Sequence, residues 1–287
     1  MLLYCASLLS RLPLSVHYAL ADGLLFPLIY HVARYRRKIV TKNLHNAFPE
    51  KTESERRQIT RDFYHQLCYT FVETIYGYGC SDEEMRQRVD IIGMDEANKL
   101  IDKAGGGIFM LAHLGNWEWQ ASVQQWLSPG VTELNVYREL KNKRFDALMR
   151  AIRAKRGGQC VEKKQLLREM VRYRSANRPV TVGLICDQKP RPEVTRTWLT
   201  FLNQETGFLD GGEVLAKKFN IPVFYGHMQR ISRGMYRSEV RLITATPNAT
   251  AEGEITTAFA KALEQNILEQ PHLWLWSHNR WKWKKQA

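Results

Sequence analysis

The stretch that decides the fold is GGGIFMLAHLGNWEW, residues 105–119. Three glycines, an apolar run rich in strand formers and an abrupt polar turn predict a buried β-strand with His113 at its C-terminal tip. Asn116 is well suited to begin a helix, and the residues after it keep helical spacing as far as Trp126, before Pro129 ends the pattern. The stretch therefore predicts a strand–turn–helix corner that carries His113.

His113 and Glu118 are the candidate catalytic pair at this corner. On one continuous helix their side chains would lie about 140° apart and could not meet, but across a strand–turn–helix corner they can. A carboxylate beside an imidazole fixes its tautomer and stabilises the imidazolium, so His113 can take a proton from a hydroxyl or amine while Glu118 orients it. The sequence thus predicts half of an acyl-transfer site.

The chain beyond Asp90 alternates between strand and helix patterns, which predicts an α/β fold with a mostly parallel central sheet flanked by helices. Ligands in such sheets collect at the carboxyl ends of strands. A strand at 236–243 alternates like an antiparallel edge. Before the sheet, residues 51–80 predict a long helix whose aromatic stripe either packs in the core or lines a lipid groove. The predicted strands are 106–112, 132–137, 159–162, 180–186 and 221–227, and the predicted helices are 95–103, 117–126, 142–155, 163–175, 211–219 and 252–269.

Residues 1–33 form an apolar segment that we expect to be helical and to associate with a membrane, followed by a single α/β domain over 34–287. Because Asp22 lies near the centre of the segment, a helix or helix pair in the membrane interface is favoured over a single span. Directly after it come Arg36, Arg37 and Lys38, part of a basic cluster expected to contact anionic headgroups on the cytoplasmic side.

The net charge of +13, from 42 Lys and Arg against 29 Asp and Glu, indicates anionic partners: phospholipid headgroups, phosphorylated sugars, an acidic carrier protein or nucleic acid. Five scattered cysteines indicate neither a zinc site nor a disulfide framework, so we expect no metal and a reducing location. Cys186, beside Asp187, is an alternative nucleophile. The tail interleaves Trp281 and Trp283 with cations, which is typical of a membrane interface or of base stacking.

Several motifs together resemble one known family. His113 and Glu118 within HLGNWE, the block YRRK-x-V-x-x-NL beginning at Tyr35, and the ending W-x-H-x-RWK from Trp276 are similar to the late, secondary acyltransferases of lipid A biosynthesis, within the glycerolipid acyltransferase superfamily. The resemblance covers about residues 34–284 of the chain. It implies substrate-binding roles for Arg138, Arg156, the pair Asp187 and Gln188, and Thr206 with Gly207 ahead of a helix N-terminus.

This resemblance implies an acyltransferase at the cytoplasmic face of the bacterial inner membrane. It would move a fatty acyl chain from an acyl carrier protein thioester, or acyl-CoA, to a hydroxyl of a lipid A precursor or another glycolipid, with no cofactor. His113 would be the general base, Glu118 would orient it, and Arg138 or a helix N-terminus would stabilise the oxyanion. Lys189 departs from the acidic or small residue expected after the Asp-Gln pair, so acceptor recognition is expected to differ from the commonest members.

Three alternatives remain open from the sequence. The first is an acyl- or aminoacyltransferase that acts on a phospholipid or aminolipid. The second is a membrane-tethered nucleic-acid-binding protein, supported only by charge and by the tryptophan-rich tail; because no binding motif accompanies them, nucleic acid is an improbable partner. The third is a non-catalytic relative that would tolerate loss of His113.

Overall fold

A computed structural model describes residues 2–283 and 285; Lys284, which belongs to the basic tail, lies outside them, as do Met1, Gln286 and Ala287. The described residues form a seven-stranded sheet with strand order β1-β9-β8-β2-β5-β3-β4 and a separate two-stranded hairpin, β6-β7. The strands are β1 Val89–Ile92, β2 Gly106–Leu111, β3 Thr132–Tyr137, β4 Gln159–Glu162, β5 Val180–Ile185, β6 Thr197–Phe201, β7 Gln204–Phe208, β8 Val223–Ser232 and β9 Met235–Thr244.

Helices cover the sheet and form most of the N-terminal part. They are α1 Leu2–Leu9, α2 Leu14–Leu20, α3 Arg37–Ala47, α4 Glu53–Gly79, α5 Asp82–Arg88, α6 Met94–Ala104, α7 Lys143–Ala154, α8 Leu166–Ser175, α9 Gly211–Phe219 and α10 Glu254–Glu269. After α2 the chain continues through π-helical turns, Ala21–Leu25 and Pro27–Val32. The mixed α/β architecture with a mostly parallel sheet is confirmed.

The five strands β8, β2, β5, β3 and β4 run parallel to one another, whereas β9 is antiparallel to β8 and β1 runs parallel to β9. The prediction that residues 236–243 form an edge strand is wrong, because β1, a short strand that the sequence analysis did not predict, pairs with the outer side of β9. The core of the sheet is built from buried apolar residues such as Ile108, Met110 and Val182, all 0% exposed.

Local sequence explains the long helix α4. Thr52 caps its N-terminus: the Thr52 hydroxyl accepts from the backbone N–H of Glu55 at 3.3 Å, and the Glu55 carboxylate accepts from the backbone N–H of Thr52 at 2.7 Å. This reciprocal capping box satisfies two donors that the first turn of a helix would leave free. Phe63 and Tyr64 on α4 are buried in the core, while Phe71 is exposed.

The N-terminal segment packs on this body, with Tyr18, Ala21 and Phe26 buried in the same core. Asp22, the acid that the sequence leaves unexplained, accepts a hydrogen bond from Tyr69 on α4 at 2.7 Å and pairs with Arg233, in the turn between β8 and β9, at 2.5 Å. Among the described residues, no single helix has the length and apolarity to cross a membrane. Only the bent pair Leu3–Leu9 and Leu14–Val32, which meet at 111°, passes that test together, on length and composition alone.

Candidate active site

The register of two neighbouring strands brings His113 and Asp187 together. Strands β2 and β5 are parallel, and Leu111 at the end of β2 lies opposite Ile185 at the end of β5. Two residues further along each chain stand His113 and Asp187, at the same level and at the carboxyl edge of the sheet. A ligand-binding site is expected at this edge of a parallel sheet.

The carboxylate of Asp187 is held by three donors. The Nδ1 atom of His113 lies 2.7 Å from Oδ1, while the backbone N–H of His113 and the indole N–H of Trp274 donate to Oδ2 at 3.0 and 2.9 Å. Burial alone would raise the pKa of Asp187, but His113 and the other donors outweigh it and lower the pKa to about 2. Because the carboxylate is ionised, the proton between the two side chains is on Nδ1, and Nε2 is left to accept one.

The pKa of the His113 imidazole lies above its usual value. Burial of the ring opposes protonation, but the Asp187 carboxylate, with a further contribution from Glu118, reverses that effect. The side chain keeps 14% of its surface exposed, and Nε2 lies 3.4 Å from the side-chain amide of the exposed Gln188. His113 can therefore accept a proton at Nε2 and hold it as a stabilised imidazolium.

Glu118 does not orient the imidazole, which corrects the expected pairing. Its two carboxylate oxygens accept from Nε and Nη2 of Arg153, on α7, each at 2.7 Å, and the indole of Trp117 donates to it at 3.2 Å. Two paired hydrogen bonds to a guanidinium are the strong, directional form of an ion pair. The corner also differs from the prediction of an α-helix over 117–126, because it is a 3-10 helix, Trp119–Trp126. Glu118 stands immediately before this 3-10 helix, at its N-cap position.

The turn after His113 is held in place by a buried carboxylate on α4, that of Glu73. Glu73 is 0% exposed and accepts hydrogen bonds from Tyr18 at 2.7 Å, Asn116 at 3.0 Å and Tyr236 at 2.8 Å. Its backbone carbonyl also accepts from the indole of Trp119 at 3.0 Å. Burial raises the pKa of Glu73, while its three donors act in the opposite direction. One side chain thus joins α2, α4, β9 and the turn that follows His113.

Thr206 and Gly207 lie in strand β7, and the predicted helix over 211–219 follows as α9, so the two residues precede that helix without belonging to its first turn. They bind the tail of the chain instead. The indole of Trp281 donates to the Thr206 hydroxyl at 2.7 Å, and the guanidinium of Arg280, 3% exposed, donates to the Gly207 carbonyl at 2.5 Å. This hairpin therefore anchors the segment that delivers Trp274 to Asp187.

The two predicted arginines have different surroundings. Arg138 follows β3 at the same sheet edge as His113 and is exposed; within the described part of the chain its guanidinium makes no hydrogen bond or ion pair. The Arg156 side chain is turned into the protein and is only 6% exposed, and its Nη2 donates to the carbonyls of Gly77 and Cys80 at 3.0 and 3.3 Å. These carbonyls end α4, so Arg156 caps that helix.

The residues expected to contact a membrane are partly used inside the protein. Arg36 donates to the Ser277 carbonyl at 3.1 Å, Arg37 lies over the ring of Tyr30 at 4.5 Å, and Lys38 is exposed. Of the tail tryptophans, Trp281 is half-buried and Trp283 is 44% exposed, with Lys282 4.6 Å from its ring centre.

Metal binding and a cysteine nucleophile are the two other kinds of chemistry to consider at this site. Within residues 2–283 and 285, no three His, Cys, Asp or Glu side chains come together in a way that could hold a metal ion. Cys186, the alternative nucleophile, is buried, and burial raises the pKa of its thiol to about 12. A thiol with that pKa is not ionised at neutral pH and is a poor nucleophile.

Sequence reasoning missed three residues of this site: Trp274, Arg153 and Glu73. Trp274 lies two residues before the W-x-H-x-RWK motif, and nothing in its spacing shows that its ring turns inward. For Glu73, the sequence offered one indication: an acidic residue stands among aromatic residues in the middle of α4. A glutamate is seldom buried without a specific partner, so this position indicates a buried carboxylate with hydrogen-bond donors around it.

The central strands of a mostly parallel α/β sheet lead to a histidine–aspartate pair, an arrangement suited to acid–base chemistry. The chain matches the family model described as bacterial lipid A biosynthesis acyltransferase over residues 3–283, and it therefore belongs to that family. It is also similar to the lipid A biosynthesis lauroyltransferase of Escherichia coli (strain K12), with 24% identity over 281 residues that cover 98% of this chain and 90% of the relative. The protein is an acyltransferase of lipid A biosynthesis.

Proposed function

We propose that this protein transfers a fatty acyl chain from an acyl thioester to a hydroxyl of a lipid A precursor or a closely related glycolipid. The observation that carries the proposal is the hydrogen bond of 2.7 Å between His113 Nδ1 and Asp187, which leaves Nε2 as a proton acceptor at the carboxyl edge of the sheet. Family membership supplies the class of reaction.

The proposed reaction begins when His113 Nε2 takes the proton of the acceptor hydroxyl, and the oxygen attacks the thioester carbonyl. A tetrahedral intermediate forms and collapses with loss of the thiolate, which takes the proton back from the imidazolium. Asp187 fixes the imidazole tautomer and stabilises the imidazolium. Arg138, exposed at the same edge, is the proposed donor to the oxyanion, and Gln188 is placed to contact the reacting groups.

The proposed donor is acyl carrier protein, with acyl-CoA as the alternative. A carrier of acidic character suits a chain of net charge +13, because complementary charge steers the encounter of two proteins. Around the site, Lys189 and Arg280 are cationic, and burial together with Lys282 and Arg36 lowers the pKa of Lys189. This clustering of like charge favours an anionic partner.

The proposed location is the cytoplasmic face of the bacterial inner membrane. In the N-terminal segment, Val16, Leu20, Leu24, Leu28 and Val32 recur every four residues, and each is between 39% and 74% exposed. Such a row on one side of a helical segment is suited to the apolar layer beneath lipid headgroups. The basic residues that follow it are suited to the headgroups themselves.

The nucleic-acid alternative loses part of its support in the tail. Stacking on bases requires exposed aromatic faces, but Trp274 and Trp276 are 2% and 0% exposed and their indole N–H groups bond within the protein.

The proposal is tested by incubating the purified protein with acyl carrier protein thioesters and with glycolipid, phospholipid and aminolipid acceptors. Wild type is compared with His113→Ala, and Cys186→Ala serves as the matched control beside the site. We expect acyl-glycolipid product from wild type and from the cysteine variant and a loss of at least roughly 1,000-fold in His113→Ala. If wild type forms product only with phospholipid or aminolipid, that lipid replaces the glycolipid as the proposed acceptor. Full activity of His113→Ala would reject the mechanism.

A further inference from the structure

A large cavity outside the His113 site lies between α3 and the N-terminal half of α4. Its volume is about 1140 Å³, somewhat above the usual range for a small-molecule site. One wall comes from the turn at 34–36 and from α3, a second from α4 at 53–60, and Tyr30 closes one end.

The lining of this cavity is strongly cationic. Seven lysine and arginine side chains line it against one carboxylate, Glu53, which is already paired with Arg57. The remaining cations are Arg34, Arg36, Arg37, Lys38, Lys42 and Arg56. Like charges held this close repel one another, and an anion bound among them removes that cost.

The cations are held without being neutralised. Arg56 donates to the carbonyl of Phe48 at 3.0 Å, Arg36 to that of Ser277 at 3.1 Å, and Arg37 to the Tyr30 hydroxyl at 3.1 Å. Neutral oxygens orient a guanidinium but leave its charge, so its remaining N–H groups stay available to an anion.

The turn at the mouth of the cavity has an unusual backbone. Arg34 and Arg36 have φ angles of 47° and 51°, a region that side chains other than glycine seldom adopt. The turn is held by the Tyr64 hydroxyl, which donates to the Tyr35 carbonyl at 2.5 Å, and by the bond from Arg36 to the tail. Strain kept in place by surrounding contacts is frequent at ligand clamps.

The surroundings indicate which anion fits. Ile39 and Leu44 give the cavity apolar wall, and the exposed Leu28 and Val32 lie just before its first arginine in the chain. A lipid could place a phosphate among the cations and its acyl chains along the apolar row. A phosphate alone would leave most of the cavity volume empty.

The cavity is also linked to the catalytic edge through the tail. Asn43 on α3 donates to the carbonyls of Trp276 and His278 at 2.9 and 3.0 Å, and His278 Nε2 accepts from the backbone N–H of Lys189 at 3.4 Å. Lys189 stands two residues after Asp187. The tail segment therefore contacts both Arg36 and α3, which line the cavity, and the loop that follows Asp187.

We infer that this basic cavity is a discrete site for the phosphate headgroup of one lipid molecule, distinct from diffuse contact with a charged membrane surface. Only the identity of that lipid as the acyl acceptor rests on the proposed function; the binding itself is tested without turnover. The group that the cavity would bind is a phosphate, which can belong to a lipid or be free in solution.

The test is calorimetric titration of the full-length protein in nonionic detergent with dihexanoyl phosphatidic acid, kept monomeric, with dihexanoyl phosphatidylcholine and with inorganic phosphate. Lys38→Glu/Lys42→Glu is the test variant, since both side chains are exposed and, in the described part of the chain, make no hydrogen bond or ion pair. Lys103→Glu/Lys261→Glu, exposed on α6 and α10, is the control with the same change in net charge. Thermal unfolding verifies that both variants fold.

We expect saturable one-to-one binding of phosphatidic acid by wild type and by the control, and binding weaker by at least roughly tenfold in the test variant, because each cation near a headgroup contributes about 1 kcal/mol. Phosphatidylcholine should bind far less well. Two results would overturn the inference: inorganic phosphate that binds as tightly as phosphatidic acid, or binding of phosphatidic acid that is weakened equally in the test and control variants.

An acceptor assay separates this inference from the proposed function. If the bound lipid is the acceptor, Lys38→Glu/Lys42→Glu should raise the KM for the glycolipid above that of the control variant. Phosphatidic acid binding that persists in a protein without acyl transfer would leave the cavity site standing and reject the proposed function. Acyl transfer with an unchanged acceptor KM in the test variant would reject the acceptor as the bound lipid.

Discussion

At the scale of single residues, the site depends on which carboxylate meets the imidazole of His113. Glu118 is five residues away in sequence, whereas Asp187 is 74 residues away and follows strand β5, yet Asp187 makes the bond of 2.7 Å. The carboxylate of Glu118 is satisfied by Arg153. Nearness in sequence was therefore a poor guide to the partner, and the strand register decided it.

Asp187→Asn should lower kcat by roughly 100- to 10,000-fold, because an amide neither fixes the required tautomer of His113 nor stabilises its imidazolium. The remaining activity should also change its pH dependence. Asp187 raises the pKa of His113, so its loss lowers that pKa, and the acid limb of the rate profile moves to lower pH.

The measurement is the rate of acyl transfer from acyl carrier protein thioester across pH. Trp274→Phe is a suitable comparison, because it removes one donor to Asp187 and keeps the charge. It should reduce the rate far less than Asp187→Asn. An acid limb that stays in place when Asp187 is neutralised would contradict the assignment.

Glu118 is expected to act through Arg153, and a double-mutant cycle tests this. If the carboxylate matters only because it holds the guanidinium, Glu118→Gln, Arg153→Gln and the double variant should lose similar amounts of activity, with strong non-additivity. Fully additive losses would show that Glu118 has a separate role at the reacting groups. Steady-state rates of the three variants and wild type give the comparison.

At the scale of elements, the strands and most helices follow from local patterns. Strands β3 and β4 and helix α9 have the predicted limits, because their apolar runs are short and clearly bounded by turn residues. Strand order is different, since it depends on long-range packing. The adjacency of β2 and β5, which creates the site, therefore could not be obtained from either stretch alone.

The failures at this scale also have physical causes. Residues 236–243 were predicted as an edge because their outer neighbour, β1, has only four residues and gives too weak a pattern to be predicted from the sequence. Thr206 and Gly207 precede α9 in sequence, but pairing with β6 draws them into a hairpin. In each case a tertiary partner determined the outcome.

Glu73 connects several secondary-structure elements, and mutation can test how much it contributes to stability. Glu73→Ala should lower the free energy of unfolding by roughly 3 kcal/mol, because Tyr18, Asn116 and Tyr236 each lose a buried acceptor. Activity should fall as well, since Asn116 lies in the turn that carries His113.

Chemical denaturation measures this change, with Glu83→Ala, at an exposed carboxylate on the neighbouring helix α5, as the control. Glu73→Gln should recover part of both stability and activity, because its amide oxygen still accepts. Equal stability of Glu73→Ala and Glu83→Ala would show that the network contributes little.

At the scale of the whole molecule, a row of exposed apolar residues and a cluster of basic residues are adjacent in the chain. The exposed apolar row of the N-terminal segment runs directly into the basic residues of the turn at 34–36. Asp22 and its partners fix that segment to the body. The sequence predicted both features, but not that the basic residues enclose a cavity.

Leu24→Ser/Leu28→Ser should weaken association with phosphatidylglycerol-containing vesicles by at least roughly tenfold, since burying a leucine side chain contributes about 1.5–3 kcal/mol. The matched control is Leu167→Ser/Val171→Ser, which changes two comparably exposed apolar residues, also four apart, on α8. Vesicle flotation gives the bound fraction. Similar losses in both variants would place the lipid contact elsewhere.

The contact between Trp274 and Asp187 has a consequence for biosynthesis and turnover of the enzyme. The histidine–aspartate pair comes from the middle of the polypeptide, but Trp274, which donates a hydrogen bond to Asp187, is translated much later. A ribosome-bound chain that already contains both members of the pair still lacks the indole N–H that Trp274 donates to Asp187, and proteolytic removal of the segment should take away this donor together with the core packing of Leu273, Trp274 and Trp276.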